Sequence, residues 1–171
     1  QPGLVTLLTP EEVFVPVASQ LQSVMVQPLV PGEITIKSIT TLLVGPGMAS
    51  DRLPDDLKTT ADSMWHESSV PMVVDASALD WLTAGAVPEK SIRVITPHPG
   101  EAARLLGTTP AEVQADRVEA LQALSAKFGN CHVVLKGRHT LIGKAEGTVH
   151  VNVTGNPALA QGGSGDLLAG Y

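Results

Sequence analysis

Short apolar runs that alternate with longer amphipathic segments are the feature of this sequence that most restricts its fold. Such alternation is typical of βα units that build a largely parallel sheet. The predicted strands are residues 3–8, 41–44, 71–74, 92–95 and 131–135. We therefore expect an α/β fold, and 171 residues are enough for one domain with a substantial core.

Two copies of a Thr-Pro-x-Glu pattern, at residues 9–12 and 109–112, predict helix starts. Each offers a Thr as N-cap, Pro at the first helical position and Glu at the third, which is a capping box. The second copy is expected to open a single helix that ends at Gly129 and keeps one apolar face, made of Val113, Leu121, Leu124 and Phe128. Alternating apolar and polar residues over 140–153 predict an antiparallel hairpin at the sheet edge.

Composition excludes several classes of protein. The net charge is −6 and no Lys/Arg cluster is present, which argues against a nucleic-acid or membrane-surface binder. No apolar run approaches the ~20 residues that a membrane helix needs, and no leader opens the sequence, so we expect a cytoplasmic protein. The single cysteine, Cys131, is expected to pack in the core.

Polar and glycine-rich turns follow four of the predicted strands. In open α/β sheets, ligands bind at the carboxyl ends of the strands, so these turns are expected to line one crevice. In chain order they are Gly45-Pro46-Gly47, Asp75, the hexapeptide T-P-H-P-G-E at 96–101, and Lys136-Gly137.

The strongest local signal is the glycine-rich turn at residues 162–166, which leads into an apolar helix. Its unpaired backbone N–H groups at the positive end of a helix could hold a phosphate or an oxyanion. Asp166 could then accept the proton of a substrate hydroxyl as that oxygen attacks a γ-phosphoryl group. The alternative interpretation makes Asp166 an ordinary N-cap. The Walker A, dinucleotide-fingerprint, zinc-site and G-x-S-x-G patterns are all missing from the sequence.

Taken in order, these blocks resemble the NAD(P)H-hydrate dehydratase family over about residues 45–170. The resemblance rests on GPG at 45–47, DASAL at 75–79, TPHPGE at 96–101, LKG at 135–137 with Thr140, and the segment from GNP at 155–157 to Gly165-Asp166. TPHPGE combined with a terminal G-x-G-D is specific. The resemblance implies a ribokinase-like fold, in which a largely parallel central sheet is flanked by helices in three layers. It also implies a single domain over 1–171 that is truncated at both ends.

The implied activity uses ADP or ATP, with Mg²⁺, to phosphorylate the hydroxyl of hydrated NADH or NADPH, and loss of phosphate then regenerates the nicotinamide. In that scheme Asp166 is the base and contacts the substrate, Gly47 and His98 line the substrate side, and Glu101 binds magnesium through water. The residues implied for the nucleotide side are Lys136, Gly137, Arg138, His139, Thr140, Gly163, Ser164 and Gly165. Relatives also imply a homo-oligomer, and an epimerase domain can precede this one.

Some positions depart from the family pattern, namely Ala49, Ser77 and the segment at 158–161. Two other functions stay open: a ribokinase-like kinase of the hydroxyethylthiazole or hydroxymethylpyrimidine type, and a non-catalytic nucleotide-binding module. Structural interpretations also stay open for three residues. His98 could make a single backbone hydrogen bond, Lys136 could extend to the surface, and Asp75 could cap the next turn.

Overall fold

The computed structural model describes residues 3–30, 39–49, 53 and 55–171. The chain divides into two compact units, residues 1–38 and residues 39–171, and each is described by itself. The single domain over 1–171 stays a prediction.

The first unit is a small parallel βαβ arrangement. Strand β1 (Thr6–Thr9) is followed by helix α1 (Glu11–Ala18) and strand β2 (Met25–Pro28). The two strands pair in parallel, with Thr6 opposite Met25. The sequence predicted β1 and α1 but not β2.

The capping box predicted at the start of α1 is wrong. The N-cap of α1 is Pro10, and no side chain caps this helix. Thr9 is instead the last residue of β1, where its carbonyl accepts the N–H of Leu29 at 2.7 Å and its hydroxyl is buried. Strand pairing has therefore taken the residue that the pattern assigned to the helix.

The second unit contains a six-stranded sheet with strands in chain order across it. The first four strands are parallel, and the last two form an antiparallel hairpin at the edge. The strands are β3 (Leu42–Val44), β4 (Met72–Val74), β5 (Arg93–Ile95), β6 (His132–Leu135), β7 (Leu141–Gly143) and β8 (His150–Val151). The α/β class, the four parallel strands and the edge hairpin are thus confirmed.

Helices connect these strands and share their core. They are α2 (Asp55–Glu67), α3 (Pro99–Leu106), α4 (Pro110–Ala115), α5 (Arg117–Lys127) and α6 (Ser164–Gly170), with 3₁₀ helices at Ala76–Trp81 and Pro157–Leu159. The largest buried apolar side chains come from both strands and helices, and include Trp65, Met72, Leu79, Ile95, Leu121, Leu124, Phe128, Val133 and Leu135. Because sheet and helices bury these side chains together, the strand ends are fixed by the core.

The single helix predicted after Thr109 is two helices. The chain leaves the helical conformation at Asp116, whose carboxylate accepts the N–H of Glu119 and so caps α5. The predicted apolar face is nevertheless confirmed, because all four of its side chains are buried. The capping box at Thr109 and Glu112 is also confirmed.

Arg93 shows how the end of α2 is attached to the sheet. Its buried guanidinium donates to the carbonyls of Met64, Trp65 and Ser68 at the end of that helix. Burial lowers the pKa of Arg93, which has carbonyl rather than carboxylate partners. Among the helices that the structure describes, none is long and apolar enough to cross a bilayer.

Candidate functional site

The carboxyl ends of β3 and β4 touch at Gly45 and Asp75. The N–H of Asp75 donates to the carbonyl of Val44 at 3.0 Å. A Cβ built on Gly45, which has φ +131°, would lie 1.7 Å from the carbonyl oxygen of Asp75. A glycine is therefore required at the start of the GPG turn, because no side chain fits between the two strand ends.

A lysine and two carboxylates meet at the ends of β4, β5 and β6. Lys136 Nζ donates to Asp75 Oδ1 at 2.8 Å and lies 3.8 Å from Glu101 Oε2. The exposed fractions of these side chains are 18% for Lys136, 2% for Asp75 and 9% for Glu101. Lys136 therefore does not extend to the surface. Asp75 does not act as a cap either, since the 3₁₀ helix that follows it receives no side-chain cap.

His98 closes this group on the side of α3. Its Nδ1 accepts the N–H groups of Gly100 at 3.0 Å and Glu101 at 3.2 Å, while Glu101 Oε2 accepts the N–H of His98 at 2.7 Å. An accepting Nδ1 assigns the proton of the neutral ring to Nε2, which lies 3.4 Å from Glu101 Oε1. The ring is 54% exposed. His98 thus makes more than one backbone hydrogen bond, while about half of its side chain stays exposed.

The glycine-rich turn leads into α6 as predicted, but Asp166 is not its cap. The N-cap is Gly163 with φ +86°, and no side chain caps the helix. Asp166 is the third helical residue and is exposed. A Cβ on Gly165 would lie 3.6 Å from Lys136 Nζ, so the start of α6 lies beside the lysine. The N–H groups of such a first helical turn lack partners within the helix.

The loop after β6 carries the other residues predicted for the nucleotide side. Gly137 has φ +135° and His139 has φ +55°, while Thr140 Oγ1 donates to the carbonyl of Gly137 at 3.0 Å. The N–H of Lys136 donates to the carbonyl of Pro97 at 2.9 Å, which ties the loop to the end of β5. Arg138 is exposed.

The structure therefore brings Lys136, Glu101 and His98 into contact and places Gly165 beside Lys136. Gly47 lies in the turn after β3, with φ +76° and open space around its Cα. Sequence reasoning left Asp75 undecided, although its place at a strand end was the available signal. It missed Arg117, which donates to four carbonyls around the loop after β6.

Magnesium would find few side-chain ligands among the described residues of this site. Within the described residues no group of three or more His, Cys, Asp or Glu side chains could hold a metal ion. Glu101 already accepts the N–H of His98 and lies near Lys136. Mg²⁺ keeps several waters and commonly binds substrate phosphates with one or two carboxylates, which agrees with an outer position for Glu101.

Sequence comparison finds similarity over nearly the whole chain. A family model described as NAD(P)H-hydrate dehydratase matches residues 2–171. The ADP-dependent (S)-NAD(P)H-hydrate dehydratase of Neisseria meningitidis is 42% identical over 139 residues, which cover 78% of this chain and 46% of that protein. The bifunctional NAD(P)H-hydrate repair enzyme of Escherichia coli is 34% identical over 171 residues, covering 98% of this chain and 32% of that enzyme. The chain thus spans less than half the length of these relatives.

Structural comparison agrees. The ADP/ATP-dependent NAD(P)H-hydrate dehydratase of Bacillus subtilis, co-crystallized with ATP and Mg²⁺, is 28% identical with a TM-score of 0.78 over 98% of this chain and 59% of its own. A ribokinase-like superfamily protein of Enterococcus faecalis is 27% identical with a TM-score of 0.75, over 98% of this chain and 58% of its own. The ribokinase-like fold is confirmed.

Proposed function

Because the chain belongs to the NAD(P)H-hydrate dehydratase family, we propose that it takes part in the repair of hydrated NADH or NADPH with ADP or ATP as co-substrate. The names of the Neisseria and Bacillus relatives support this choice of substrate and nucleotide. The hydroxyl oxygen of the hydrated nicotinamide attacks the terminal phosphorus, and the bond to the nucleotide's bridging oxygen breaks. Phosphate then leaves carbon, with loss of a proton from the neighbouring carbon, and the dihydronicotinamide double bond is restored.

The observation that carries this proposal is the proximity of Lys136 to the start of α6. The ammonium of Lys136 lies 3.6 Å from the position that a Cβ would take on Gly165, directly before the exposed Asp166. A cation beside free backbone N–H groups attracts phosphate oxygens. A carboxylate beside a bound phosphoryl group can accept the proton of the attacking hydroxyl.

The two carboxylates around Lys136 limit how much positive charge it offers. Asp75 is hydrogen-bonded to the ammonium, so the lysine is oriented and partly neutralised before any ligand binds. Mg²⁺ bound to the nucleotide phosphates would neutralise the charge that develops there. The family resemblance assigns Glu101 to hold such an ion through water, and its carboxylate lies 3.8 Å from Lys136.

The remaining residues of the scheme keep the sides given to them by the family resemblance. His98 supports the substrate side with its half-exposed ring, together with Gly47. Residues 137–140, with Gly163 and Ser164, supply the nucleotide side. A cytoplasmic location and a homo-oligomer belong to the same proposal, and the bifunctional relatives support a further domain, an epimerase, in longer proteins.

The test is recovery of NADH absorbance when hydrated NADH, a nucleotide and Mg²⁺ are incubated with the chain. We expect Asp166→Asn to lower the rate by about 100-fold or more, the usual contribution of a positioned general base. Glu146→Gln is the matched control, because Glu146 is an exposed carboxylate in the edge hairpin.

Three outcomes contradict the proposal in different ways. A full rate in the Asp166→Asn variant would show that Asp166 is not the general base. A product that stays phosphorylated, without recovery of NADH, would favour the kinase alternative. Binding of ADP without turnover would favour the non-catalytic module.

A further inference from the structure

Arg117 makes an unusual set of contacts. It is the first residue of α5, and its guanidinium donates to backbone carbonyls at the end of β6 and in the loop that follows. Nη1 donates to Arg138 at 2.6 Å and to His139 at 3.2 Å, while Nη2 donates to Leu135 at 3.1 Å and to Lys136 at 3.3 Å. Charged donors make the stronger hydrogen bonds, so four of them at the end of β6 and in the loop after it fix the backbone there.

The position of Arg117 in its own helix does not explain these contacts. A cation in the first turn of a helix is unfavourable, because that end of the helix carries partial positive charge. The start of α5 is instead capped by Asp116, which accepts the N–H of Glu119. The stabilising contacts of Arg117 therefore belong to the loop.

The direction of the peptide groups gives these contacts a consequence for binding. In a trans peptide the C=O of one residue and the N–H of the next point in opposite directions. The carbonyls of Lys136 and Arg138 point to the guanidinium, so the N–H groups of Gly137 and His139 point away from it. Over the part of the chain that the structure describes, neither N–H group has a hydrogen-bond partner.

The backbone of this loop is also strained. His139 has φ +55°, a left-handed conformation that non-glycine residues adopt at a cost. Gly137 has φ +135°, and a Cβ there would lie 3.4 Å from Arg117 Nη2. Such a conformation persists where surrounding contacts determine it. Those contacts are the hydrogen bonds of Arg117 to Arg138 and His139.

We propose that Arg117 is a positioning residue for nucleotide binding. It holds the loop from Lys136 to His139 so that the N–H groups of Gly137 and His139 face an anionic ligand, the phosphates of a nucleoside diphosphate or triphosphate. The same contacts fix the backbone of Lys136, whose Nζ lies beside Gly165. This inference rests on the proposed function and adds a residue to its nucleotide side.

The first arm of the experiment is calorimetry of ADP binding to the wild-type chain and to Arg117→Ala, Arg117→Lys and Arg104→Ala. We expect Arg117→Ala to weaken ADP binding roughly tenfold or more. Without Arg117 the loop is ordered only when ADP binds, and the free energy of ordering it reduces the affinity. Arg117→Lys keeps the charge but loses the forked arrangement of N–H donors, so its affinity for ADP should lie between those of wild type and Arg117→Ala. Arg104→Ala is the matched control, because Arg104 pairs with Asp80 on the surface.

The second arm separates positioning from general stability. Hydrogen exchange should be faster in the 135–141 segment of Arg117→Ala and unchanged in β4 and β5. In turnover, KM for the nucleotide should rise while KM for hydrated NADH stays the same. If Arg117→Ala does not fold, the same measurements on Arg117→Lys test the positioning role.

The outcomes distinguish this inference from the function on which it rests. Failure of the wild-type chain to bind ADP overturns the nucleotide-dependent function, whereas the exchange experiment still reports on Arg117. Tight ADP binding with unchanged affinity and unchanged exchange in both Arg117 variants overturns the positioning role alone.

Discussion

The two sides of the candidate site are built differently. On the strand side, Asp75, Glu101 and Lys136 are largely buried and fixed by one another at the ends of strands. On the α6 side, Asp166 is exposed and Ala169 is the buried residue of its helix. A substitution on the strand side should therefore change folding and binding together, whereas one on α6 should report on chemistry with little effect on stability.

Among the variants that test this comparison, Gly45→Ala is expected to lower the stability of the fold most. Its new Cβ would meet the carbonyl oxygen of Asp75 at 1.7 Å, in a backbone conformation with φ +131°. Overpacking and backbone strain add, so we expect a loss of roughly 3 kcal/mol or more in the free energy of unfolding. Urea denaturation followed by circular dichroism measures it.

Gly165→Ala is the matched substitution on the α6 side. Its Cβ would meet only the flexible end of Lys136, at 3.6 Å. Because Ala is a better helix former than Gly, stability should stay within about 1 kcal/mol of wild type. Equal losses in the two variants would mean that the two sides do not differ as described.

The next effect is expected from Asp75→Asn. It leaves the ammonium of Lys136 without its 2.8 Å carboxylate partner in a largely buried position. We expect a loss of about 1–3 kcal/mol, less than for a fully buried pair because Lys136 is partly exposed. Asp166→Asn should change stability by no more than about 0.5 kcal/mol, as is usual for an exposed side chain.

A double variant, Asp75→Asn with Lys136→Met, controls for the loss of the pair. Removing both charges should recover part of the stability that Asp75→Asn loses, since no ammonium that has lost its hydrogen-bonded carboxylate remains. Additive losses in the double variant would show that the ion pair does not couple the two strand ends.

The two Thr-Pro-x-Glu segments show what a local pattern can and cannot predict. At Thr109 the box forms, and hydrogen bonds from Thr108 and from Thr109 lower the pKa of Glu112. At Thr9 the same pattern does not form a capping box, because Thr9 belongs to β1 and its carbonyl accepts the N–H of Leu29. A capping pattern therefore predicts a helix start well only where no strand competes for the N-cap residue.

The site shows the same limit at longer range. The rule that ligands bind at strand ends was enough to select His98, Glu101 and Lys136, because each follows an apolar run. The pair of Asp75 and Lys136 joins residues 61 positions apart, and Arg117 reaches the loop from 18 to 22 positions away. No spacing in the sequence encodes such contacts, since tertiary packing creates them.

The smallest effect concerns the thiol of Cys131, which lies directly before β6, at the opposite end of that strand from Lys136, in the core that supports the strand side. Burial raises the pKa of Cys131 to about 12. Its thiolate should therefore stay scarce as the pH rises from 7 to 10, where an ordinary exposed thiol becomes largely ionised. We expect native protein to react negligibly with a disulfide reagent over this range and to react fully once unfolded in urea. The control is a Leu167→Cys variant, which places a thiol on α6 where the wild-type residue is 78% exposed. The native form of this variant should consume one equivalent of the disulfide reagent without being unfolded. Rapid reaction of native wild-type protein near pH 8 would show that the core behind the strand side is as accessible as the exposed surface of α6.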